Sequence, residues 1–405
     1  MRRWNPLPCS CAPPNLAPMA GPHYTPLEMI ERLISFDTTS RNSNLPLIEF
    51  VESYLAAHGV TATRVPNEDG EKASLYATIG PRVAGGVVLS GHTDVVPVDG
   101  QAWDTDPFQL TPRDGKLFGR GTTDMKSFSA VALALVPDVL ARGLKRPLHF
   151  ALSYDEEVGC LGAPSLIAHI LAHEPKPAAV VVGEPTNMSV VNAHKGIHAL
   201  RTTVTGHEVH SSLVHLGVNA IQVAAELIGV LGSLGAELRA QGDPSGRFTP
   251  GFSSLHVGTI KGGTALNIVP RTCAFDWECR SLPGTDVHRI VARFERHCVE
   301  RVLPALTAVS SDAAIETMRT HLIPAFQGKP GSAAEALALN VARQNATEAV
   351  SYGTEAGLFE GSGLPTIVCG PGDIAQAHQP NEFVTEEQVA LCEAFMRRLM
   401  DALTA

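Results

Sequence analysis

The sequence has no excess of positive charge: 31 Lys and Arg against 41 Asp and Glu leave a net charge of −10 and a pI near 5.9. A nucleic-acid-binding surface needs a basic footprint, so that class of partner is excluded. No uninterrupted apolar run reaches the length needed to cross a bilayer, and no membrane partner is expected. A secretory signal is also missing. Arg2 and Arg3 open the chain, but Pro6, Pro8, Pro13, Pro14 and Pro18 break up any apolar stretch of the roughly 7–15 residues such a signal requires. Residues 1–22 read as a disordered leader. The 8 cysteines show no paired metal spacing beyond Cys9-x-Cys11 in that leader. Most of the others sit in apolar runs, as small buried hydrophobes do in a reducing cytoplasm. There is no internal repeat, and no low-complexity tract after the leader.

What is present suits a soluble globular chain. Hydrophobic residues make up 44% and charged residues 18% of 405 residues, too long for one ordinary core, so two domains are expected. After a helical entry over 25–58, strands at Val60–Val65, Leu75–Ile79, Val87–Leu89, His149–Tyr154 and Ala178–Val182 alternate with helices at Met125–Leu140 and Pro164–Ala172. That alternation implies a mostly parallel or mixed α/β sheet covered by helices. From 194 to 318 the order changes to strand, helix, strand, strand, helix, strand. In this stretch Cys273, Phe275, Trp277 and Cys279 alternate with polar residues along one strand. This is the split βαβ, ferredoxin-like α+β arrangement, read as a unit inserted between the catalytic stretches 23–193 and 319–405. A helix at Ala333–Asn345, a tight loop at Gly353–Gly357, a strand at Pro365–Cys369 and a helix at Glu386–Leu403 close the chain.

Polar groups gather where the apolar strands end. Val87–Leu89 runs into His92 and Asp94, His149–Tyr154 into Glu156 and Glu157, and Ala178–Val182 into Glu184. Asp124 opens a helix, and His378 follows the strand Pro365–Cys369. Taken singly, each has a plain reading: Asp124 as an N-cap, Glu156-Glu157 as a solvated loop, Glu184 as a turn residue, His378 as a surface histidine. Their shared position decides otherwise, because ligands bind at the carboxyl edge of an open α/β sheet. Acids crowded into one crevice raise each other's pKa values until cations compensate. Two histidines with several carboxylates suit zinc or a similar divalent ion, one carboxylate being shared by two metals.

Five stretches carry a resemblance. Ser-Gly-His-Thr-Asp-Val-Val-Pro (90–97), Gly-Arg-Gly-Thr-Thr-Asp-Met-Lys (119–126), Asp-Glu-Glu-Val-Gly (155–159), Gly-Glu-Pro-Thr (183–186) and His-Gln-Pro-Asn-Glu (378–382) resemble the dinuclear zinc amidohydrolases and exopeptidases of peptidase family M20. Ala-His-Lys-Gly (193–196) and Gly-Thr-Glu-Ala (353–356) look most like its acetylornithine-deacetylating branch. The resemblance implies a zinc exopeptidase-like fold, with the inserted unit acting as lid and dimerisation domain. It implies two divalent ions per subunit, zinc or alternatively cobalt: His92, Asp124 and Glu184 on one, Asp124, Glu157 and His378 on the other. Glu156 matches the general base that takes the proton of the attacking water and returns it to the leaving amine. Asp94 matches the acid that fixes the tautomer of His92 through the free ring nitrogen. His210 in Gly-His-Glu-Val-His-Ser-Ser (206–212), with His207 the weaker candidate, matches the histidine that reaches a partner subunit's site as oxyanion donor.

For substrate, Arg280 matches the family position that binds a carboxylate, although a surface arginine on an amphipathic strand is the alternative. Asn267 and Thr354 match polar positions near the substrate, and Glu355 is expected to attract the side-chain amine of an ornithine-like substrate. The resulting expectation is a cytoplasmic, homodimeric deacylase of a small N-acyl amino acid, N2-acetyl-L-ornithine, in arginine biosynthesis. The same parts serve N-succinyl-diaminopimelate desuccinylation, broader N-acyl amino acid hydrolysis or dipeptide cleavage. A non-catalytic binding protein on this scaffold would lack a ligand or the base, whereas the set here is complete.

Overall fold

The runs Val87-Val88-Leu89 and Ala179-Val180-Val181-Val182 offer no polar side to water, so they must lie inside a sheet covered on both faces. The computed structural model describes residues 21–405, and the leader expected over 1–22 falls outside them but for its last two residues. Among the described residues, nine strands form one mixed sheet. Its centre is parallel: Leu148–Ser153, Val87–His92, Ala179–Pro185 and Thr366–Gly370 lie side by side in that order. Ala62–Pro66 and Ala73–Ile79 extend it antiparallel at one side. Alternate residues go to opposite faces. Leu89 and Val181 pack with Met29, Phe128 and Phe395 from the helices Pro26–Ile34, Lys126–Ala134 and Glu386–Thr404. Val88 and Val180 pack with Leu166, Ile170 and Phe359 from Ala163–His173 and Ala356–Gly361.

A second sheet of four antiparallel strands is ordered Ser254–Gly262, Thr272–Ser281, Gly196–Thr205, Ala314–Ile323. Cys273, Phe275, Trp277 and Cys279 are buried against the helices Ala220–Gln241 and Val287–His297, while the residues between them face the other way. The last strand runs on to Ile323, five residues beyond the limit of 318 expected for this unit.

Several elements differ from expectation. The helix expected over Met125–Leu140 is two helices, Lys126–Ala134 and Val136–Arg142, which meet at Leu135 just before Pro137. Residues 353–357 are not a plain loop, because Glu355 is the cap of the helix Ala356–Gly361. The first helix of the inserted unit is long, Ala220–Gln241. By length and composition that helix could cross a membrane, although Glu226 interrupts its apolar run. Its stripe of Val223, Leu227, Leu231, Leu234 and Leu238 is buried on the four-stranded sheet, as in a core helix of a folded domain. A three-stranded sheet of Thr111–Arg113, Lys116–Phe118 and Phe383–Thr385 was not anticipated, its strands being too short to show alternation.

The tightest point of the core lies just before Glu184. A Cβ added at Gly183 would stand 2.1 Å from the Phe128 ring, so only glycine lets the strand and helix approach this closely. Gly229, by contrast, is exposed mid-helix, with nothing within 4 Å of an added Cβ. We expect Gly183→Ala to lower the free energy of unfolding by about 1–3 kcal/mol through overpacking. Gly229→Ala should raise it by about 0.5–1 kcal/mol through helix propensity. Denaturant unfolding of both variants checks this, and equal effects at the two sites would contradict the packing described.

Candidate active site

The parallel strands all end at one edge of the sheet. His92 is the last residue of its strand, and Leu148–Ser153 leads into the turn carrying Glu156 and Glu157. Glu184 lies in the end of Ala179–Pro185, and the loop after Thr366–Gly370 carries His378. Asp124 comes from the loop before Lys126–Ala134. It is not that helix's N-cap: Met125 holds the position and makes no side-chain cap.

These groups converge around Asp124. Its Oδ1 lies 3.0 Å from His92 Nε2, and its Oδ2 lies 3.3 Å from His378 Nε2. Glu184 Oε1 is 3.8 Å from His92 Nε2, and Glu157 Oε2 is 3.1 Å from His378 Nε2. One carboxylate thus divides its oxygens between two imidazoles, each of which has a second acid beside it. Candidate ligand atoms of His92, Asp124 and Glu157 lie within 4.8 Å of one another, as do those of His92, Glu156 and Glu184.

Burial makes this crowding costly. It raises the carboxyl pKa of Glu156 and of Glu184 well above the ordinary range, and acidic neighbours add to the effect. Glu157 is pushed up to about 7, first by burial and then by Asp124. In Asp124 burial acts the same way, but hydrogen bonds from His378 and His92 outweigh it and hold the carboxyl low. The same contacts, to Asp124 and then Glu157, push His378 up to about 10. Oxygen and imidazole donors with this excess of acid fit hard or borderline divalent cations, which would replace the protons that now separate the carboxylates.

The surrounding contacts orient the donors. His92 Nδ1 lies 2.9 Å from the backbone carbonyl of Asp94, to which it donates, leaving Nε2 to face Asp124. The expected partner was the Asp94 carboxylate, which is 3.6 Å away. That carboxylate instead accepts from Ser40 Oγ at 2.7 Å and from the backbone N–H groups of Glu156 and Glu157 at 3.0 and 3.3 Å. Asp94 therefore anchors the turn that carries the two glutamates. Glu156 Oε1 accepts from the Cys160 thiol at 3.4 Å.

Glu382 does comparable work on the other side. Its buried carboxylate accepts from the backbone N–H groups of Gly121, Thr123 and Asp124 at 2.8–3.1 Å and from Arg120 at 2.6 Å. This ties the loop of His378 to the loop of Asp124. Although Glu382 closes the His-Gln-Pro-Asn-Glu stretch, sequence reasoning gave it no role.

A cavity of about 280 Å³ opens over the cluster. Asp124, Glu156, Glu157, Glu184 and His378 form its floor, with Gly353 and Tyr352 at one side and Glu278, Arg280 and His321 from the inserted sheet above. A larger cavity of about 810 Å³ between the inserted helices and Ala193 contains none of the clustered donors, so size alone does not locate the chemistry. Arg280 lines the smaller cavity as expected of a substrate-facing residue, whereas Thr354 and Glu355 do not line it. Both are fully buried beneath it: Thr354 Oγ1 accepts from Ala356 N–H, and Glu355 Oε2 accepts from Ser90 Oγ. His210 and Asn267 lie together in the inserted unit, where Ser211 N–H donates to the Asn267 carbonyl at 3.0 Å, and neither lines the cavity.

Residues 88–402 match Peptidase family M20/M25/M40. The chain belongs to this family. It is 36% identical over 380 residues to the acetylornithine deacetylase of Myxococcus xanthus, covering 91% of this chain and 95% of that one. It is 32% identical to the acetylornithine deacetylase of Pasteurella multocida, covering 93% and 96%. The M20 family metallo-carboxypeptidase of Sulfolobus solfataricus shares the fold, with a TM-score of 0.73 over 94% of this chain and 99% of its own length, at 17% identity. The chain is thus an M20 hydrolase of mixed α/β fold with a candidate metal site.

Proposed function

We propose that this M20 chain hydrolyses the amide of N2-acetyl-L-ornithine to L-ornithine and acetate, in arginine biosynthesis, with two divalent ions per subunit, zinc or cobalt. The observation that carries the reading is the division of Asp124 between His92 and His378, with Glu156 left over beside them. Similarity to acetylornithine deacetylases over most of the chain supports the substrate.

His92, Asp124 and Glu184 would hold one ion, and Asp124, Glu157 and His378 the other. Such ions supply Lewis acidity, polarising an acyl carbonyl and easing deprotonation of water. Glu156, its carboxyl held high by burial and then by Glu157, takes the proton of the attacking water and delivers it to the departing amine. Arg280 receives the substrate carboxylate, its guanidinium fork matching that group. Six free, buried thiols among the described residues are consistent with a reducing, cytoplasmic compartment.

The reading includes a homodimer formed through the inserted unit. His210 and Asn267 stand near the exposed Leu213, Val214, Leu216 and Leu266, and a second copy would bring them over its neighbour's cavity. There His210 would donate to the oxyanion.

Two experiments test this. Zinc-loaded protein assayed on acetylornithine, succinyl-diaminopimelate and acetylmethionine should show its highest kcat/KM on acetylornithine. If acetylornithine were the poorest of the three, the substrate would be wrong even though the M20 assignment stood. Mixing the inactive variants Glu156→Gln and His210→Ala, with subunit exchange, should restore roughly a quarter of wild-type activity, since half of randomly formed dimers would carry one intact site. No recovery in verified mixed dimers would place His210 in its own subunit's chemistry or outside the reaction.

A further inference from the structure

The roof of the cavity is one face of the inserted sheet, and its register decides which side chains look down. Arg280 pairs with Ile197, which pairs with Ile323; Glu278 pairs with Ala199, which pairs with His321. All six line the cavity, as two parallel rows across three strands. Residues two apart on a strand share a face, so Glu278 stands beside Arg280 about 7 Å further along the backbone. Ala199 contributes only a methyl group between Glu278 and His321. His321 is also where the roof comes down on the catalytic turn: a Cβ on Gly159 would lie 2.8 Å from its ring.

Four of the carboxylates lining this cavity, those of Asp124, Glu156, Glu157 and Glu184, already belong to the metal cluster or serve as the base. Glu278 is the one left over. The next acid along the strand, Asp276, lies outside the cavity and accepts from Arg201 Nε and Nη2, at 2.7 and 3.0 Å, and from Thr259 Oγ1. Glu278 has no such set of partners. Among the described residues its one polar side-chain partner is Arg280, which donates from Nε to Oε1 at 3.0 Å, and both side chains remain partly exposed.

We propose that Glu278 is the specificity-determining residue for a cationic side chain, the counter-charge for the terminal ammonium of the acyl amino acid. The inference rests on the substrate reading above and assigns the role expected of Glu355, whose carboxylate is sealed beneath the floor. When a substrate carboxylate takes the free Nη groups of Arg280, that one cation is shared between two carboxylates, and the unbalanced negative charge left at Glu278 in a partly enclosed cavity is costly. An ammonium at the end of a short methylene arm restores the balance; a methyl group of the same size does not. Discrimination therefore comes as much from rejecting the neutral analogue as from attracting the cation.

The test compares N2-acetyl-L-ornithine with N2-acetyl-L-norleucine, which has a methyl group where ornithine has its ammonium, on wild-type and Glu278→Gln enzyme. The ratio of the two kcat/KM values should fall about tenfold or more in the variant. Any general loosening of Arg280 affects both substrates and cancels in the ratio, and turnover of acetylnorleucine reports that the variant is folded. A wild-type preference for acetylornithine that survives unchanged in Glu278→Gln overturns the inference alone. A wild-type enzyme that prefers acetylnorleucine overturns the substrate reading, and the inference with it.

Discussion

Four carboxylates share one buried crevice with two imidazoles, and that crowding is the constraint on which the rest of the structure depends. Left ionised, Asp124, Glu156, Glu157 and Glu184 would repel one another in a poorly solvated space, and their carboxyl groups respond by holding protons or by pairing with His92 and His378. Such a nest contributes nothing to folding that apolar residues could not supply better. Its chemistry becomes intelligible when divalent cations take the place of the protons. Membership of a hydrolase family and the division of Asp124 between two histidines lead to the same conclusion by independent routes.

Holding that nest together requires groups that never enter the cavity. Parallel pairing brings three strand ends to one edge, which sets His92, Glu184 and the Glu156–Glu157 turn in place. The remaining two donors, Asp124 and His378, arrive on irregular loops, and two buried acids clamp the irregular segments, one at the glutamate turn and one between these loops. Asp94 gathers Ser40 and the amides of Glu156 and Glu157, while Glu382 gathers Arg120 and the amides before and at Asp124. Charge-assisted bonds to backbone N–H groups are strong and directional, suited to fixing a loop. The rigid floor is thus local to one stretch of fold, whereas the roof is contributed by a separate sheet that touches it through His321 and Gly159.

Much of the floor was legible in the sequence, for a physical reason. Strands buried on both faces are continuous apolar runs, so a His or Glu at their ends is conspicuous, and open α/β sheets place such ends together. Features set by tertiary context were not legible. Thr354 and Glu355 were assigned by motif, but the helix that starts at Ala356 carries them beneath the site. The tautomer of His92 is fixed by a carbonyl, which no sequence pattern announces. His321 lies three residues past the limit of 318 expected for the inserted unit, where a bulge between Arg319 and His321 re-registers the far end of the strand over the cavity. Glu278 could have been found: the alternation that buries Trp277 and Cys279 puts it on the face of Arg280.

The most direct test is a calorimetric titration of metal-free protein with zinc, run in buffers of differing ionisation enthalpy, on wild-type and Asp124→Ala. The account predicts two ions per wild-type subunit. It also predicts net proton release near pH 7, because Glu157 with its pKa of about 7, the higher Glu156 and Glu184, and the protonated His378 must give up protons to make way for metal. Binding should therefore weaken as the pH falls, and Asp124→Ala should lose at least one of the two ions. Two ions bound equally well without Asp124, or none bound by the wild type, would contradict it.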